Sequence, residues 1–417
     1  MGALIILTAA LAAQATPASG STPPAAGAEK TSSGPKVGQS TYVDLEAGAG
    51  YSTNPQFRLN GGGQGFGRIA AHAVHTRITA RTTTQLSAYA ENVTYTGDIG
   101  SQQSLSFNGH HDAAVSEQLR LFGDLNASYQ KGGLLDTRVL VVPTIPVFIG
   151  PAGTPPILVP GTPDFLSVTG RDYQVAANVG AQWALGPRDS LHLSTGVQRT
   201  VFRGGNVRSG FTTIPVSIGY DRQLSERATI GAQVAAEDIE YDGPTSVHLI
   251  TPELTGSLSL SPTVSFSGGL GVSFSTVDDG VRTRHSTGPS ANARLCSSSE
   301  RGQLCGYVSI AQEAATTAGP AKTLAGGIDY TRQLSASSSI ALSAGVDHYS
   351  SPTSVITGRN FSSATYYRAA AEYSRRIGNR LFTGANLSGR KVAESGPDPK
   401  ADISASLFIR YRLGDIQ

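Results

Sequence analysis

The sequence predicts an all-β fold: a transmembrane antiparallel up-and-down β-barrel of about 18 strands, with 16 as the alternative count. Three observations predict it. Apolar and polar side chains alternate with period two over segments of roughly a dozen residues along most of the chain. The connections between these segments are alternately short and long, as hairpins with turns at one rim and loops at the other require. A phrase also recurs at the short connections: Tyr220-Asp221-Arg222-Gln223-Leu224-Ser225, Tyr330-Thr331-Arg332-Gln333-Leu334-Ser335 and, more loosely, Tyr373-Ser374-Arg375-Arg376-Ile377-Gly378.

Composition agrees. Of 417 residues, 39% are hydrophobic and 15% charged, and 49 are glycine. A soluble enzyme of this length fills a thick side-chain core, whereas a barrel turns one face to lipid and the other to its lumen, so a wall rich in Gly and Ser suffices. The formal net charge of +2, with no basic run interleaved with aromatics, argues against a nucleic-acid partner. No apolar stretch approaches the roughly 20 residues a membrane helix needs, so any crossing is made by strands.

From the N-terminus, Leu4 to Ala12 is an apolar run too short to span, and Ala13-Gln14-Ala15 has the small-x-small form of a cleavage site. Residues 1–15 are therefore read as a signal peptide, although Met1-Gly2-Ala3 supplies no Lys or Arg. Residues 16–40, rich in Pro, Ala, Gly and Ser, bury too little surface to fold and are read as a disordered periplasmic tail. The barrel takes residues 41–417.

The strands fall near 41–52, 66–78, 82–95, 103–115, 118–130, 171–185, 189–202, 209–223, 227–241, 247–260, 263–275, 284–296, 303–314, 322–333, 337–349, 362–375, 380–391 and 400–412. Period two is plainest where Leu119, Leu121, Leu125 and Tyr129 alternate with Arg120, Phe122, Asp124 and Asn126. It is equally plain in Val264 to Phe274 and Ile403 to Tyr411, while the second, third, seventh and ninth strands keep poor phase. Turns such as Gly186-Pro187-Arg188-Asp189 and Ser261-Pro262 follow even-numbered strands and belong to the periplasmic rim. Asn54–Gly65, Val277–Arg284, Ser350–Asn360 and Glu394–Lys400 follow odd-numbered strands as outer loops.

Two aromatic belts are expected. Trp183, Tyr220, Tyr330, Tyr373 and Tyr411 end strands at the turn rim, and Tyr51, Tyr129 and Phe274 end them at the other, where an amphipathic ring suits the headgroup layer. Tyr241 and Tyr349 also end odd strands but lie one residue out of phase, so a bulge or a shifted boundary is expected beside each.

The last strand, with Leu407-x-Ile409-x-Tyr411, resembles the C-terminal recognition strand of Gram-negative outer-membrane β-barrel proteins, although six residues follow it to Gln417. The plan of signal peptide, low-complexity tail and repeated Leu-Ser hairpins resembles the porin-type proteins of that class found among envelope and exopolysaccharide genes. The resemblance covers roughly residues 41–417 and is one of architecture. It implies outer-membrane lipid and the barrel assembly machinery as partners, polysaccharide-export components as further candidates, no cofactor and no particular solute.

Among candidate sites, Cys296 and Cys305 are the only cysteines, and an oxidising periplasm favours a disulfide between them across a turn. His110-His111-Asp112 suggests a metal or a base, yet neighbouring residues of a strand point to opposite faces, so no metal site is assigned. Gly61 to Gly67 lacks the Lys-Ser/Thr ending of a phosphate loop and reads as an outer loop. Ser, His and Asp are present without a nucleophile motif, so no catalytic residue is assigned and the chain is read as a non-enzyme.

The long connection 131–170 carries Val141, Ile145, Val147 and Phe148 between prolines. Such a segment is a plug in the lumen, a partner-binding surface or a cover over the mouth, and the first is favoured because long loops in compact proteins are usually functional. The lumen face is read as Glu46, Arg120, Phe122, Asp124, Arg294, Tyr307, Tyr366, Arg368, Glu372, Asp402, Phe408, Arg410 and Arg412. Its mixed charge argues against strong ion selectivity. The expected function is passage of polar solute across the outer membrane, with a link to exopolysaccharide secretion, and the alternative is a non-conducting structural or docking barrel.

Overall fold

Period-two alternation becomes a wall only through register, and here the registers form one closed ring. The computed structural model describes residues 38–55, 61–97, 99–132, 171–203, 209–315, 319–350, 363–394 and 401–415. Its first nine strands are β1 (Gly38–Ser52), β2 (Gln64–Ile78), β3 (Thr82–Tyr95), β4 (Ser101–Ala114), β5 (Leu119–Lys131), β6 (Arg171–Ala184), β7 (Asp189–Arg203), β8 (Phe211–Ser225) and β9 (Ala228–Tyr241). The second nine are β10 (Ser246–Ser261), β11 (Val264–Asp278), β12 (Thr283–Ser299), β13 (Gly302–Ala315), β14 (Gly319–Ser335), β15 (Ser338–Ser350), β16 (Ser363–Arg376), β17 (Leu381–Glu394) and β18 (Asp402–Gly414). Each is antiparallel to its sequence neighbours, and β1 pairs with β18 from Tyr42↔Gly414 to Ser52↔Ser404, which leaves no edge. The two ends of the chain are tied at the turn rim, where Thr41 N donates to Asp415 Oδ2 at 2.6 Å and Asp415 N to Thr41 O at 2.9 Å.

Every expected segment is a strand, with ends displaced by three residues at most. β1 starts at Gly38, so residues 38–40, expected in the tail, are paired with Ile78, Arg77 and Thr76 of β2. Gln64 and Gly65, expected in an outer loop, belong to β2. Residues 1–37 and the long connection 133–170, with Val141, Ile145, Val147 and Phe148, lie outside the described residues.

The outward face is apolar. Leu45, Leu121, Val179, Leu254, Leu270 and Leu407 are exposed on it, Leu270 and Leu407 each to 70%, a band that only a lipid environment makes favourable. Tyr51, Trp183, Tyr220, Phe274, Tyr373 and Tyr411 are exposed on the same face, and Tyr129 packs its ring on Tyr173 of β6 at 5.1 Å. Tyr330 lies half-buried on that face opposite Leu304 and Leu342. Tyr241 and Tyr349 break the pattern for a simpler reason than a bulge. At their ends of the strands the registers, Phe211↔Tyr241 and Thr323↔Tyr349, carry no slip and turn both rings into the lumen.

The bulges lie instead in the repeated turn phrase. Register slips by one residue at Gln223/Ser225, Ser259/Ser261 and Gln333/Ser335, each time skipping a leucine. Leu224, Leu260 and Leu334 are thereby pushed outward and exposed at the turn rim. The serine that follows each closes the turn, its Oγ accepting from the backbone N–H of Arg227, of Thr263 and of Ser337. Tyr220-x-Arg222-x-Leu224 and Tyr330-x-Arg332-x-Leu334 thus place an aromatic ring, a charge and an aliphatic anchor in order down one outer face.

Proline marks the weak points of the wall. A barrel strand has a neighbour on each side, and proline has no N–H for one of them. At Pro215 the β7–β8 ladder stops at Thr195↔Val216 and resumes at Gln198↔Thr213, while the β8–β9 side is continuous. At Pro252 the β10–β11 ladder stops at Ile250↔Phe274 and resumes at Glu253↔Gly271. At Pro289 the β11–β12 ladder is continuous, but β12–β13 pairing ends at Ala291↔Ile310.

A cationic side chain on the lipid face near mid-membrane costs about 2–4 kcal/mol, whereas a lumen position faces water and polar groups. Leu270→Arg is therefore expected to impair assembly, and Ser128→Arg, on the inner face of β5, is not. The check is the fraction migrating as the compact, heat-modifiable form on a denaturing gel, and equal losses in both variants overturn this assignment of faces.

Candidate lumen site

The inner face of β16 to β18 and β1 to β3 is a charged wall. Glu46 on β1 accepts from Arg410 on β18 at 2.7 Å and from Arg68 on β2, which also reaches Glu91 on β3 and donates to Tyr89 Oη at 3.1 Å. Arg410 lies 3.8 Å from Glu372. One residue pair further along β18, Arg412 holds Asp44 through two bonds of 2.7 Å, with its guanidinium 4.2 Å from the Tyr42 ring centroid. Towards the loop rim Arg390 meets Asp402 at 2.6 Å, and Asp402 also accepts from Ser52 Oγ at 2.5 Å and Asn54 N at 3.0 Å. Arg368 bridges Asp347 at 2.9 Å and Tyr307 Oη at 2.7 Å.

These pairs follow from register. Glu46↔Arg410 and Asp44↔Arg412 are direct cross-strand partners, and the alternation that puts one in the lumen puts its neighbour two residues away beside it. Asp347 and Asp402 are 0% exposed, so each carboxylate depends on its arginine, since an unpaired charge there is strongly disfavoured. Tyr366 and Phe408 are buried within this wall and present no free ring face to a solute.

The opposite wall is different in kind. A cavity of about 160 Å³ between β5 and β13 is lined by Phe122, His192 and the three carboxylates Glu237, Glu253 and Glu313, with no lysine or arginine. Glu253 accepts from Gln233 Nε2 at 2.8 Å and from Ser290 Oγ. His192 faces Asp221 at 3.3 Å. Arg120 pairs with Asp112 at 2.8 Å near the turn rim, and Asp124 with His110 at 2.8 Å. His111 points outward and contacts Thr84 at 2.9 Å, so the two histidines do not converge. Among the described residues no cluster of His, Cys, Asp and Glu suited to a metal ion is found.

Arg294 sits beside the bonded pair Cys296–Cys305, its Nε 3.3 Å from Cys296 Sγ. The cysteines are direct partners in the β12–β13 register and both are buried.

Asp44, Arg68, Tyr89, Glu91, Asp347 and Arg390 complete the charged wall but were not singled out by the sequence. Two apolar clusters were also missed, Phe66, Val93 and Tyr95 on β2–β3 and Phe211, Ile239, Tyr241, Val247 and Val277 on β8–β11. Both face inward near the loop rim, so apolar side chains line the lumen there beside the Arg390–Asp402 pair. Their signal was present as the out-of-phase Tyr241.

No family model matches the sequence, and no curated protein does. Solved structures resemble the fold. OpdL of Pseudomonas aeruginosa aligns with a TM-score of 0.42 and 11% identity over 90% of this chain and 99% of its own. OpdQ of the same organism aligns at 0.43 and 9% over 90% and 98%. A bacterial polysaccharide outer membrane secretin aligns at 0.34 and 9% over 89% and 98%.

Two outcomes are expected from this geometry. Glu46→Ala should cost about 3 kcal/mol by removing the buried carboxylate that Arg410 and Arg68 share, although Arg68 keeps Glu91, and Glu46→Ala with Arg410→Ala should cost about 1–2 kcal/mol less than the sum of the single changes. Urea unfolding in detergent measures both, and strict additivity would mean the pair is not coupled. Alkylation without reductant should leave Cys296 and Cys305 unmodified, whereas quantitative labelling of both in the folded protein contradicts the bond.

Proposed function

We propose that the chain is an outer-membrane channel for polar solutes that favours cations. The closed wall with its exposed apolar band supports residence in a membrane. The carboxylate-lined cavity carries the proposal. In the charged wall each arginine that has a carboxylate beside it is neutralised locally, while Glu237, Glu253 and Glu313 share a cavity free of lysine and arginine. A passing ion meets a net negative field on that side. This revises the sequence-based expectation of weak selectivity, which counted charges without their partners.

Export by a signal peptide and assembly through the barrel assembly machinery are part of the proposal, the latter supported by the outward Ile403, Leu407, Ile409 and Tyr411 of β18. A role beside exopolysaccharide secretion rests on the resemblance of architecture alone, and the buried Tyr366 and Phe408 offer it no stacking platform.

Planar-bilayer recording tests the reading. Steady open-channel steps with a cation-selective reversal potential in a KCl gradient are expected, and Glu237→Gln with Glu253→Gln should move that potential toward zero. Absence of steps from correctly folded protein favours the non-conducting docking barrel instead.

A further inference from the structure

Among the described residues, neighbouring strands pair over the height they share, apart from the two-position gaps at Pro215 and Pro252, at every seam but one. β12 and β13 are partners over nine positions, from Ser299↔Gly302 to Ala291↔Ile310, and no further pair joins them among the described residues. Both strands nevertheless continue. β12 runs on to Thr283, held by β11 through Asp278↔Thr283, and β13 runs on to Ala315, held by β14 through Ala315↔Gly319. The parting is thus not a frayed end, because each bank is anchored on its far side.

The sequence supplies the cause. Gly288-Pro289 sits on β12 where the ladder ends, and the proline keeps its pairing toward β11, so its missing N–H falls on the β13 side. The interruptions at Pro215 and Pro252 each reclose after two positions, whereas this one does not. β14 also comes close to β10 and β11 although neither is its ladder partner.

A side chain bridges the gap in place of the backbone. Gln312 of β13 is 5% exposed, and its Nε2 lies 3.5 Å from Ser286 Oγ across the seam. It passes over Gly288, where a Cβ would stand 3.0 Å from that nitrogen. Behind Gln312 lies the lumen cavity, bounded by Ser290 and Ala291 on one bank and Ile310 and Ala311 on the other. Its roughly 160 Å³ is close to the void that holds a benzene ring in an engineered apolar cavity. Leu249 extends its lining toward the apolar cluster around Val247.

Opening any other seam breaks a run of backbone hydrogen bonds in a medium that cannot replace them, whereas here no ladder pair is described above Ala291 and Ile310 and Gln312 spans the parting to Ser286. The space behind has room for a few methylenes beside Leu249 and Ile310, and its three carboxylates disfavour an anionic head. We propose that the β12–β13 seam above Ala291 and Ile310 is a lateral port, through which a hydrocarbon-chain amphiphile of the surrounding leaflet, with a non-anionic head, exchanges with the lumen cavity. The proposal rests on the membrane barrel and not on axial conduction, so loss of conductance leaves it standing.

The test uses the full chain with Trp183→Phe, since Trp183 is the only tryptophan. Ser290→Trp places a reporter inside the seam, and Asn126→Trp places one on the inner face of β5, whose ladders on both sides are continuous. In vesicles of brominated phosphatidylcholine the Ser290→Trp protein should be quenched about twofold more strongly than the Asn126→Trp protein, because bromine reaches it only through a parted wall. A disulfide from Gly288→Cys with Gln312→Cys should reduce that quenching to the level of Asn126→Trp, while either cysteine alone should not. If the Ser290→Trp protein does not assemble, Ser286→Trp serves as the reporter. Equal quenching at seam and control, or quenching unchanged by the disulfide, overturns the port. A brominated alkylammonium should quench more than a brominated alkylsulfonate at equal membrane concentration, and equality overturns the choice of head.

Discussion

Lateral satisfaction of the backbone is the constraint on which this structure depends. In hydrocarbon no water replaces a missing hydrogen bond, so a strand wall is tolerated only when every strand has two partners. The pairing of β1 with β18 provides the last of these, and the bond between Asp415 and Thr41 fixes its register at the turn rim. Once the ring is closed, period two dictates the rest. A one-residue slip would turn Leu45 and Leu407 inward and Glu46 and Arg410 toward lipid, which no assembled barrel can accommodate. The single-residue bulges are correspondingly confined to the turn rim, where the skipped leucines leave the faces of the strands above them undisturbed.

The same register builds the charged wall. Asp44, Glu46, Arg410 and Arg412 are separated by more than 360 residues in sequence, yet antiparallel pairing brings them into direct opposition. Their burial means that the charges stabilise the closure only as pairs. The closing seam is therefore specified twice, by apolar packing outside and by ion pairing inside, and that double specification selects one register of β18 on β1 over its neighbours. The cavity wall is lined by three carboxylates and by neither lysine nor arginine.

Legibility from sequence followed contrast between the faces. In β5, β11 and β18 large apolar residues alternate with polar ones, and both strand and face were readable. In β2 alanines occupy both faces, as in Ala70-Ala71, and in β3 the face opposite Tyr89 and Glu91 carries only the small Ala88 and Ala90, so the phase of Arg68, Tyr89 and Glu91 could not be fixed and the centre of the charged wall went unseen. Tyr241 and Tyr349 read as phase errors because a tyrosine ending a strand was assigned to an outer aromatic belt, whereas Tyr241 packs inward with Phe211, Ile239 and Val247. The cysteine pair was legible because two thiols beside one short turn have few other partners. What a strand does with its second neighbour was not legible, because it depends on which side each proline faces.

That side is the last step in understanding the wall. Pro215 lies opposite Glu237, Pro252 opposite Val234 and Pro289 opposite Val272, so the three sit on alternate strands of one continuous stretch of sheet. Each removes one donor, and each interruption falls on the side that lost it. The cavity is lined by residues of this same stretch, among them Pro215, Glu237, Ser273 and Ser290. A wall short of ladder bonds resists bending less than a fully paired one, and on this side of the barrel β14 comes close to β10 and β11. The charged wall lies among strands whose ladders contain no proline gap, so continuous pairing and arginine–carboxylate pairs are concentrated on one side of the lumen, and interrupted ladders and a cavity lined without lysine or arginine on the other.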